Sequence, residues 1–241
     1  MSRQPSSYAI IPAAGRSERM GRSKLLLSWR GAGEANSTLL DHVLEAWTAS
    51  GVQRTIIVIR TDADAAVKQI CKSHGIDIVM ADDPSDMKAS CLLGLKHLAQ
   101  HYSPSAPDRF FVCPADIPGI TSDLIDHLIS EAERHDAMRE PDPGDRVIVP
   151  TYQGRRGHPV LFPWSMASQI ELLRADQGIN CLVDRAAAVN VEFPVSPEKM
   201  ADIDTPKEYA AAARLFAKNS PAMPSHSINP DLLDCAERTF E

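Results

Sequence analysis

The chain has 241 residues, of which 44% are hydrophobic and 24% are charged. This length fits one large domain, and the composition is that of an ordinary globular protein that buries a core without disulfides or metals. The formal net charge of −7 argues against a general nucleic-acid-binding protein, because such proteins usually carry a basic surplus. A small anionic ligand is compatible with this charge, since its site needs only local positive charge.

The sequence predicts neither a secretory signal nor a membrane span. The first eight residues are polar, and no apolar run approaches the roughly 18 residues needed to cross a bilayer. The five cysteines are scattered singly, which suits neither a disulfide framework nor a zinc site and is ordinary in a reducing cytosol. We therefore expect a cytoplasmic protein that has no membrane partner and binds no nucleic acid.

Strand and helix patterns alternate along the first 135 residues or so. Short apolar or β-branched runs predict four strands, at 8–12, 55–60, 76–80 and 109–113. Apolar positions at helical spacing predict helices at 39–47, 64–74, 92–98 and 122–135, the first of them capped by Ser37 or Thr38. This alternation predicts a Rossmann-like α/β fold, a doubly wound and mostly parallel sheet with helices on both faces.

The second half of the chain predicts additions to this sheet. Residues 136–145 are charged and rich in proline, which indicates a surface connection. Two strands at 147–150 and 159–162 then predict a small β-insertion, followed by helices around 165–174 and 179–187 and a strand at 189–193. The segment Thr-Pro-Lys-Glu at 205–208 is typical of a helix start. We expect one domain over 1–218 and a C-terminal tail over 219–241 that is flexible or forms one short helix.

The loop after the first predicted strand combines small residues with a local cluster of cations. Small residues let a phosphate approach the backbone closely: Ala13, Ala14 and Gly15. The same segment contains four cations and a single acid, Glu18. The cations are Arg16, Arg19, Arg22 and Lys24. In an acidic chain this surplus favours a polyanionic ligand, the alternative being a basic surface loop.

Two well-known phosphate-binding loops do not fit this segment. The dinucleotide fingerprint fails because Ser17 stands where the second glycine belongs. The P-loop pattern fails because Lys24 follows Gly21 by three residues instead of one.

A more specific resemblance covers the whole loop. Residues 13–24 resemble the A-A-G-x-S-x-R-M-G-x-x-K signature of the MobA-like nucleotidyltransferases related to molybdenum cofactor cytidylyltransferase, with every fixed position filled, including Gly21. The resemblance implies that the loop backbone and Ser17 wrap a nucleoside triphosphate, while Arg19 and Lys24 neutralise it. Lys24 would also stabilise charge at the α-phosphate during attack and on the leaving pyrophosphate.

A candidate metal ligand follows the predicted strand at 109–113. Asp116 stands between Pro114 and Pro118, just past a buried strand and so at the same sheet edge as the loop. The family has a comparable strand followed by D-M-P, whose aspartate binds Mg²⁺; Asp116 matches it, with Ile117 in place of methionine. The alternative is a turn aspartate without a ligand.

Two further acids occur late in the chain. Asp202 and Asp204 alternate, so in an extended segment they share one face, and paired carboxylates suit a hard cation. Helix capping alone could explain one of them. The family's D-I-D-T-P element matches residues 202–206 and implies a second Mg²⁺ ligand, with Asp204 favoured and Asp202 left open.

Two more segments resemble family elements around the substrates. Gly157 and His158 resemble a G-H-P motif near the acceptor pocket, where His158 would hydrogen-bond an acceptor phosphate or pterin, although a lone histidine is often structural. Residues 81–95 resemble an element that contacts the base, in which Ser90 matches and Asp86 stands in the position of a glycine. Asn180 stands where many relatives have arginine.

The expected function is Mg²⁺-dependent transfer of a nucleoside monophosphate from an NTP to a phosphate of a small acceptor. The resemblance favours CTP, because Ala14-Gly15 resembles the cytidylyl branch whereas the guanylyl branch usually has Gly-Gly there. Molybdopterin is the favoured acceptor, with a methylerythritol or sugar phosphate as the alternative. A non-catalytic nucleotide-binding or cofactor-handling protein is the alternative of another class, and Asp86 and Asn180 are the departures that favour it.

Overall fold

The computed structural model describes residues 3–29, 37–84, 86–138, 146–186 and 188–217. The strands are β1 Ser7–Pro12, β2 Arg54–Arg60, β3 Asp77–Ala81, β4 Arg109–Val112, β5 Ile148–Tyr152, β6 Arg155–Arg156, β7 Val160–Pro163 and β8 Val189–Glu192. The α-helices are α1 Leu39–Thr48, α2 Ala65–Ser73, α3 Met87–Tyr102, α4 Ser122–Ala137, α5 Ala167–Glu171, α6 Asn180–Arg185 and α7 Pro206–Ala217. Short 3-10 turns lie at Glu18–Met20, Lys24–Leu26, Trp164–Met166 and Pro197–Met200.

These strands form a single mixed sheet with the order β3-β2-β1-β4-β7-β5-β6, and β8 pairs with β5. Strands β1 to β4 are parallel, β7 is antiparallel to β4, and β8 is parallel to β5. The chain runs outward from β1 through β2 to β3 and then returns to β4 on the other side of β1. The direction of winding therefore reverses between β1 and β4, and in open α/β sheets ligands bind at the carboxyl ends of the strands at such a point.

Helices cover both faces of the sheet, so the predicted fold class is confirmed. Alternate residues of β1 point to opposite faces, as the period of two in a strand requires. Ala9 and Ile11 lie in one hydrophobic cluster with the buried faces of α1 and α4, whereas Tyr8 and Ile10 lie in a second cluster with α3, α5 and α6. The four residues are essentially inaccessible to solvent. The sheet thus separates two hydrophobic cores, one on each of its faces.

The predicted β-insertion is built into the main sheet. Strand β7 pairs with β4, and its Phe162 stacks on Phe110 with ring centroids 5.4 Å apart. Strands β5 and β6 form a hairpin that turns at Gln153 and Gly154, both at positive φ. The insertion therefore extends the sheet beyond β4 and reaches the side of the molecule where Asp116 lies.

The helix boundaries refine the sequence predictions. Thr38, and not Ser37, caps α1 in a capping box with Asp41. The helices predicted at 165–174 and 179–187 are shorter, since α5 follows a 3-10 turn and ends at Glu171 and α6 runs from Asn180 to Arg185. Among the described residues, no helix is both long and apolar enough to cross a membrane. The tail predicted over 219–241 and most of the 136–145 connection lie outside the described residues, and the single domain over 1–218 stays a prediction.

Candidate active site

A cavity of about 550 Å³ opens at the carboxyl ends of β1, β3 and β4. Ten of the residues predicted to bind the nucleotide or the metal line it: Ala13, Ala14, Gly15, Arg16, Ser17, Arg19, Lys24, Ser90, Asp116 and Asp204. Its other lining residues are Pro12, Glu18, Leu25, Asp83, Pro84, Asp86, Met87, Pro114 and Ala115. The tertiary structure thus brings the loop after β1, the start of α3, the Asp116 segment and the Asp204 segment to one place.

The loop after β1 folds back on itself so that Lys24 reaches the cavity. Ser17 has a left-handed backbone, with φ 52° and ψ 31°, and its hydroxyl accepts a hydrogen bond of 3.3 Å from the Lys24 amide. Gly21 ends the 3-10 turn at Glu18–Met20 with φ 65° and is not among the residues that line the cavity. Gly21 therefore shapes the loop, and its predicted contact with a nucleotide is left as a prediction.

The ammonium group of Lys24 joins two carboxylates. It donates hydrogen bonds to Asp116 and, at 2.9 Å, to Oδ1 of Asp204, whose Oδ2 pairs with Arg19 at 2.7 Å. Only 14% of the Lys24 side chain is exposed. Burial alone lowers the pKa of Lys24, but the charges and hydrogen bonds of Asp116 and Asp204 outweigh burial and raise it. Lys24 is therefore held as a cation at the end of the cavity.

The two carboxylates differ in their electrostatic environment. Burial raises the pKa of Asp116, and the opposing attraction of Lys24 offsets only part of this shift, while the charge of Asp202 adds to it. The hydrogen bond from Lys24 is the main cause of the lowered pKa of Asp204. Asp116 thus carries the more strongly destabilised negative charge and gains the most from an added cation.

The carboxylates of Asp116 and Asp204 fit a divalent metal ion whose remaining ligands come from a bound substrate and water. Oδ1 of Asp116 is buried and has no hydrogen-bond partner among the described residues, so it is free to bind a cation. Within the described ranges, no three or more His, Cys, Asp and Glu side chains form a group arranged to hold a metal. Mg²⁺ usually takes only one or two carboxylates and completes its shell with water and substrate phosphates. Asp116 and Asp204 match that donor set.

The extended segment at 202–204 packs against the Asp116 loop. The amide of Ile203 donates a 3.0 Å hydrogen bond to the carbonyl oxygen of Asp116, and the Ile203 side chain is buried. Asp204 lines the cavity, whereas Asp202 is exposed and is not among the cavity-lining residues. This placement favours Asp204 over Asp202 as the second metal ligand.

An ion-pair network that was not predicted from the sequence borders the other end of the cavity. Arg16 pairs with Oδ1 of Asp83 at 2.8 Å, and the same oxygen accepts a 2.5 Å bond from Arg60. Arg60 also pairs with Asp62 at 2.7 Å. The available signal was the position of Arg60 as the last residue of β2, at the sheet edge where ligands bind. The network ties the loop after β1 to the segment that follows β3.

The unusual Asp86 serves as the N-cap of α3. Its Oδ1 accepts a 2.8 Å hydrogen bond from the amide of Ala89. Ser90, one turn into the helix, is buried and lines the same cavity. The carboxylate therefore has a structural function that glycine at this position could not supply through a side chain.

The segment with Gly157 and His158 lies beside this cavity and not in its lining. The His158 ring hydrogen-bonds the Val112 backbone, and its Nδ1 is buried without a partner among the described residues. Burial lowers the pKa of His158, opposed by that hydrogen bond and by the charges of Asp116 and Asp202. His158 is thus a neutral group near the carboxylates.

Tyr152 fixes the backbone of this segment. Its hydroxyl donates a 2.5 Å hydrogen bond to the His158 carbonyl oxygen, and its ring packs on Gly157. A Cβ atom at residue 157 would lie 2.5 Å from Tyr152 Cε2, so only glycine allows this approach.

Comparison with known proteins identifies the family. A model described as the MobA-like NTP transferase domain matches residues 9–190. The chain belongs to the MobA-like NTP transferase family. It is therefore a nucleotidyltransferase, as its sequence resemblance implies.

Curated relatives agree with this assignment. A molybdenum cofactor guanylyltransferase of Rhizobium leguminosarum bv. trifolii is 27% identical over 218 residues, covering 85% of this chain and 90% of the relative. A second protein with that name, from Rhodopseudomonas palustris, is 26% identical over 232 residues, covering 91% of this chain and 99% of the relative.

Solved structures share the fold of this nucleotidyltransferase. A nucleotidyl transferase from Methanothermobacter superimposes with a TM-score of 0.69 at 20% identity, covering 89% of this chain and 99% of that one. A Mycobacterium tuberculosis protein in complex with manganese gives a TM-score of 0.64 at 22% identity, covering 87% and 98%. A 4-diphosphocytidyl-2C-methyl-D-erythritol synthase of Anaerococcus prevotii gives 0.63 at 14% identity, covering 88% and 96%.

Proposed function

We propose that this nucleotidyltransferase moves CMP from CTP to a phosphate of molybdopterin with the help of Mg²⁺. The observation that carries the proposal is the contact of Lys24 with both Asp116 and Asp204 at the end of the cavity that the loop after β1 lines. This arrangement places cations for a triphosphate next to carboxylates for a metal. It supplies both charge types that phosphoryl-type transfer requires.

The reaction needs alignment and charge neutralisation, without a protein nucleophile. An oxygen of the acceptor phosphate attacks the α-phosphorus of the NTP, the bond from that phosphorus to the bridging oxygen breaks, and pyrophosphate leaves with the electron pair. Lys24 and Arg19 would neutralise the triphosphate and the leaving pyrophosphate, while the loop backbone from Ala13 orients the phosphates. Mg²⁺ held by Asp116 and Asp204 would supply further neutralisation of the phosphate oxygens.

The choice of base rests on two opposing observations. Ala14 followed by Gly15 favours CTP, since the resemblance places Gly-Gly at these positions in the guanylyl branch. GTP is the second candidate, because the curated relatives are named molybdenum cofactor guanylyltransferases. The CTP and GTP alternatives have the same proposed acceptor. The names of the curated relatives refer to the molybdenum cofactor and so support molybdopterin as that acceptor. A methylerythritol phosphate is the alternative acceptor, supported by a structural neighbour named for that chemistry.

The position of His158 supports an acceptor pocket on the β7 side of Asp116. The imidazole lies near the Asp116 and Asp202 carboxylates, and its Nδ1 is buried without a hydrogen-bond partner among the described residues, so an acceptor that opens this segment would meet an unsatisfied nitrogen. Because the ring is neutral, with one nitrogen bonded to the Val112 backbone, Nδ1 would accept a hydrogen bond from an N–H or O–H group. A pterin carries such donors, which favours the pterin over the phosphate as the partner of His158.

The proposal is tested by measuring pyrophosphate release with each of the four NTPs, with molybdopterin or methylerythritol phosphate as the acceptor, and with or without Mg²⁺. We expect release that needs CTP, molybdopterin and Mg²⁺ together. Release with GTP but not with CTP would overturn the CTP assignment. Release with methylerythritol phosphate but not with molybdopterin would overturn the assignment of the acceptor. Asp116→Asn should abolish turnover with Mg²⁺ while leaving the fold intact, whereas the exposed Asp123→Asn on α4 should match the wild type.

A further inference from the structure

The first turn of α7 is connected to the backbone of Asp204 through Glu208. Oε2 of Glu208 accepts hydrogen bonds of 2.9 Å from the Asp204 amide and 2.8 Å from the Thr205 amide. In return, the hydroxyl of Thr205 accepts a 3.3 Å bond from the Glu208 amide. The side chains of Thr205 and Glu208 therefore hold the segment that carries Asp204 onto the end of the helix.

One of these bonds goes beyond ordinary helix capping. A capping box consists of the reciprocal bonds between the capping residue and the third helical residue, which here are those between Thr205 and Glu208. The bond to the Asp204 amide lies one residue further out, at the residue whose carboxylate touches Lys24 and Arg19. Glu208 thus acts on the residue that enters the cavity as well as on the helix.

Asp204 is held from two sides. On its N-terminal side, the buried Ile203 is anchored by its amide to the Asp116 carbonyl. On its C-terminal side, the Glu208 carboxylate fixes the Asp204 amide and the next one. Removing Glu208 would leave the Ile203 anchor in place and release the Asp204 backbone on the side of the helix, so the direction of the carboxylate would depend on its ion pairs with Lys24 and Arg19 alone.

We propose that Glu208 is a positioning residue that orients the Asp204 carboxylate for the metal and for Lys24. The inference rests on the proposed role of Asp204 as a metal ligand. Partners that orient a metal ligand typically change metal affinity by about tenfold or more when they are removed. Glu208 itself needs no contact with the metal or the nucleotide for this effect.

Three variants separate positioning from helix stability. Glu208→Ala removes both bonds to the backbone amides, and Glu208→Gln keeps an oxygen that accepts them. Thr205→Ala is the matched control, because it removes the other half of the capping box and leaves the bond from the Asp204 amide to Glu208 intact. Mn²⁺ binding to each protein is measured by electron paramagnetic resonance in the presence of the NTP that supports turnover and without an acceptor, with the nucleotide and Mn²⁺ alone as the blank, together with the melting temperature and the Mg²⁺ dependence of turnover.

We expect Glu208→Ala to weaken Mn²⁺ binding by about tenfold and to raise the Mg²⁺ concentration for half-maximal turnover similarly. Glu208→Gln should restore most of the Mn²⁺ affinity and most of the Mg²⁺ dependence of the wild type. Thr205→Ala should lower the melting temperature with little change in Mn²⁺ binding. Equal losses of Mn²⁺ binding in Thr205→Ala and Glu208→Ala, or unchanged binding in Glu208→Ala, would overturn the inference. Failure of the wild-type protein to bind Mn²⁺ would instead overturn the metal site of the proposed function.

Discussion

The ammonium nitrogen of Lys24 lies 2.9 Å from Oδ1 of Asp204, although 180 positions separate the two residues in the chain. The cation of the loop after β1 and the carboxylate of the late acidic segment therefore neutralise each other in the absence of a nucleotide. A triphosphate that recruits Lys24 frees the carboxylate, and a metal ion that recruits the carboxylate frees Lys24. We expect the two ligands to favour each other's binding for this reason.

Lys24→Met tests the central cation. Methionine keeps much of the length of the side chain and removes the charge, so the α-phosphate loses a stabilising group in the transition state. We expect kcat/KM for pyrophosphate release to fall by about 100-fold or more. The matched control is Lys72→Met, on the exposed last turn of α2, which should leave kcat/KM unchanged. A Lys24→Met enzyme within a few-fold of wild type would contradict the assigned role.

Asp86→Asn tests the carboxylate at the start of α3. Asparagine caps helices about as well as aspartate, so the substitution removes the charge and keeps the bond to the Ala89 amide. With less repulsion of the triphosphate, we expect the KM for the NTP to fall about twofold at low salt, and the gain to shrink as salt is added. The measurement is KM at two ionic strengths.

A control variant separates the cap from the charge. Asp86→Ala removes both, and the lost cap should cost about 1 kcal/mol of the free energy of unfolding. An increased KM in Asp86→Asn, with unchanged stability, would show instead that the carboxylate accepts hydrogen bonds from the base.

Gly157→Ala tests the turn that carries His158. The added methyl would lie 2.5 Å from Tyr152 Cε2, so the turn or the tyrosine ring must shift. We expect KM for the acceptor to rise, with KM for the NTP nearly unchanged, because the cavity proposed for the triphosphate does not include this segment. Gly178→Ala is the control, since a methyl there meets nothing within 4 Å. Equal changes in both Michaelis constants would argue against an acceptor role.

Asp108→Asn tests a structural carboxylate away from the site. The Asp108 side chain is fully buried and accepts bonds of 2.8 Å from the Ser6 amide and 2.6 Å from the Ser105 amide. Burial by itself would raise the pKa of Asp108, but these bonds and the charge of Arg3 outweigh burial and lower it. Replacing the carboxylate should cost about 1.5–3 kcal/mol of unfolding free energy at pH 7.

The sign of the pKa shift fixes the pH dependence of this cost. Because the folded pKa lies below the unfolded value of about 3.9, the stabilisation is present above that value and is lost as the pH falls through the folded pKa. Urea unfolding of the wild type and Asp108→Asn at several pH values measures it. A difference between the two proteins that stays constant down to pH ~2 would contradict the shift.

The sequence by itself determined the fold class and most of the residues of the candidate site. The continuous apolar or β-branched runs at 8–12 and 55–60, and the helical spacing in 39–47, follow from which residues must be buried, so local patterns were enough. The candidate phosphate-binding residues all lie in the short segment after the first strand, and the acid Asp116 lies just after the fourth. Each of these groups could therefore be recognised from a short contiguous stretch of sequence. Their positions at strand ends placed them at one sheet edge, because parallel strands share that edge.

The tertiary structure decided where each of the acids lies. Asp202 and Asp204 are equivalent in sequence pattern, and only the packing of Ile203 against the Asp116 loop turns Asp204 into the cavity and leaves Asp202 exposed. From the sequence, Asp86 was a departure from the glycine of the family element that contacts the nucleotide base. In the structure, α3 starts at Met87, so Asp86 is the N-cap of this helix. These outcomes depend on contacts between segments far apart in the chain, and no local propensity encodes such contacts. The loop from Ala13 to Lys24 could therefore be interpreted from the sequence, but the carboxylates that Lys24 meets could be assigned only from the folded chain.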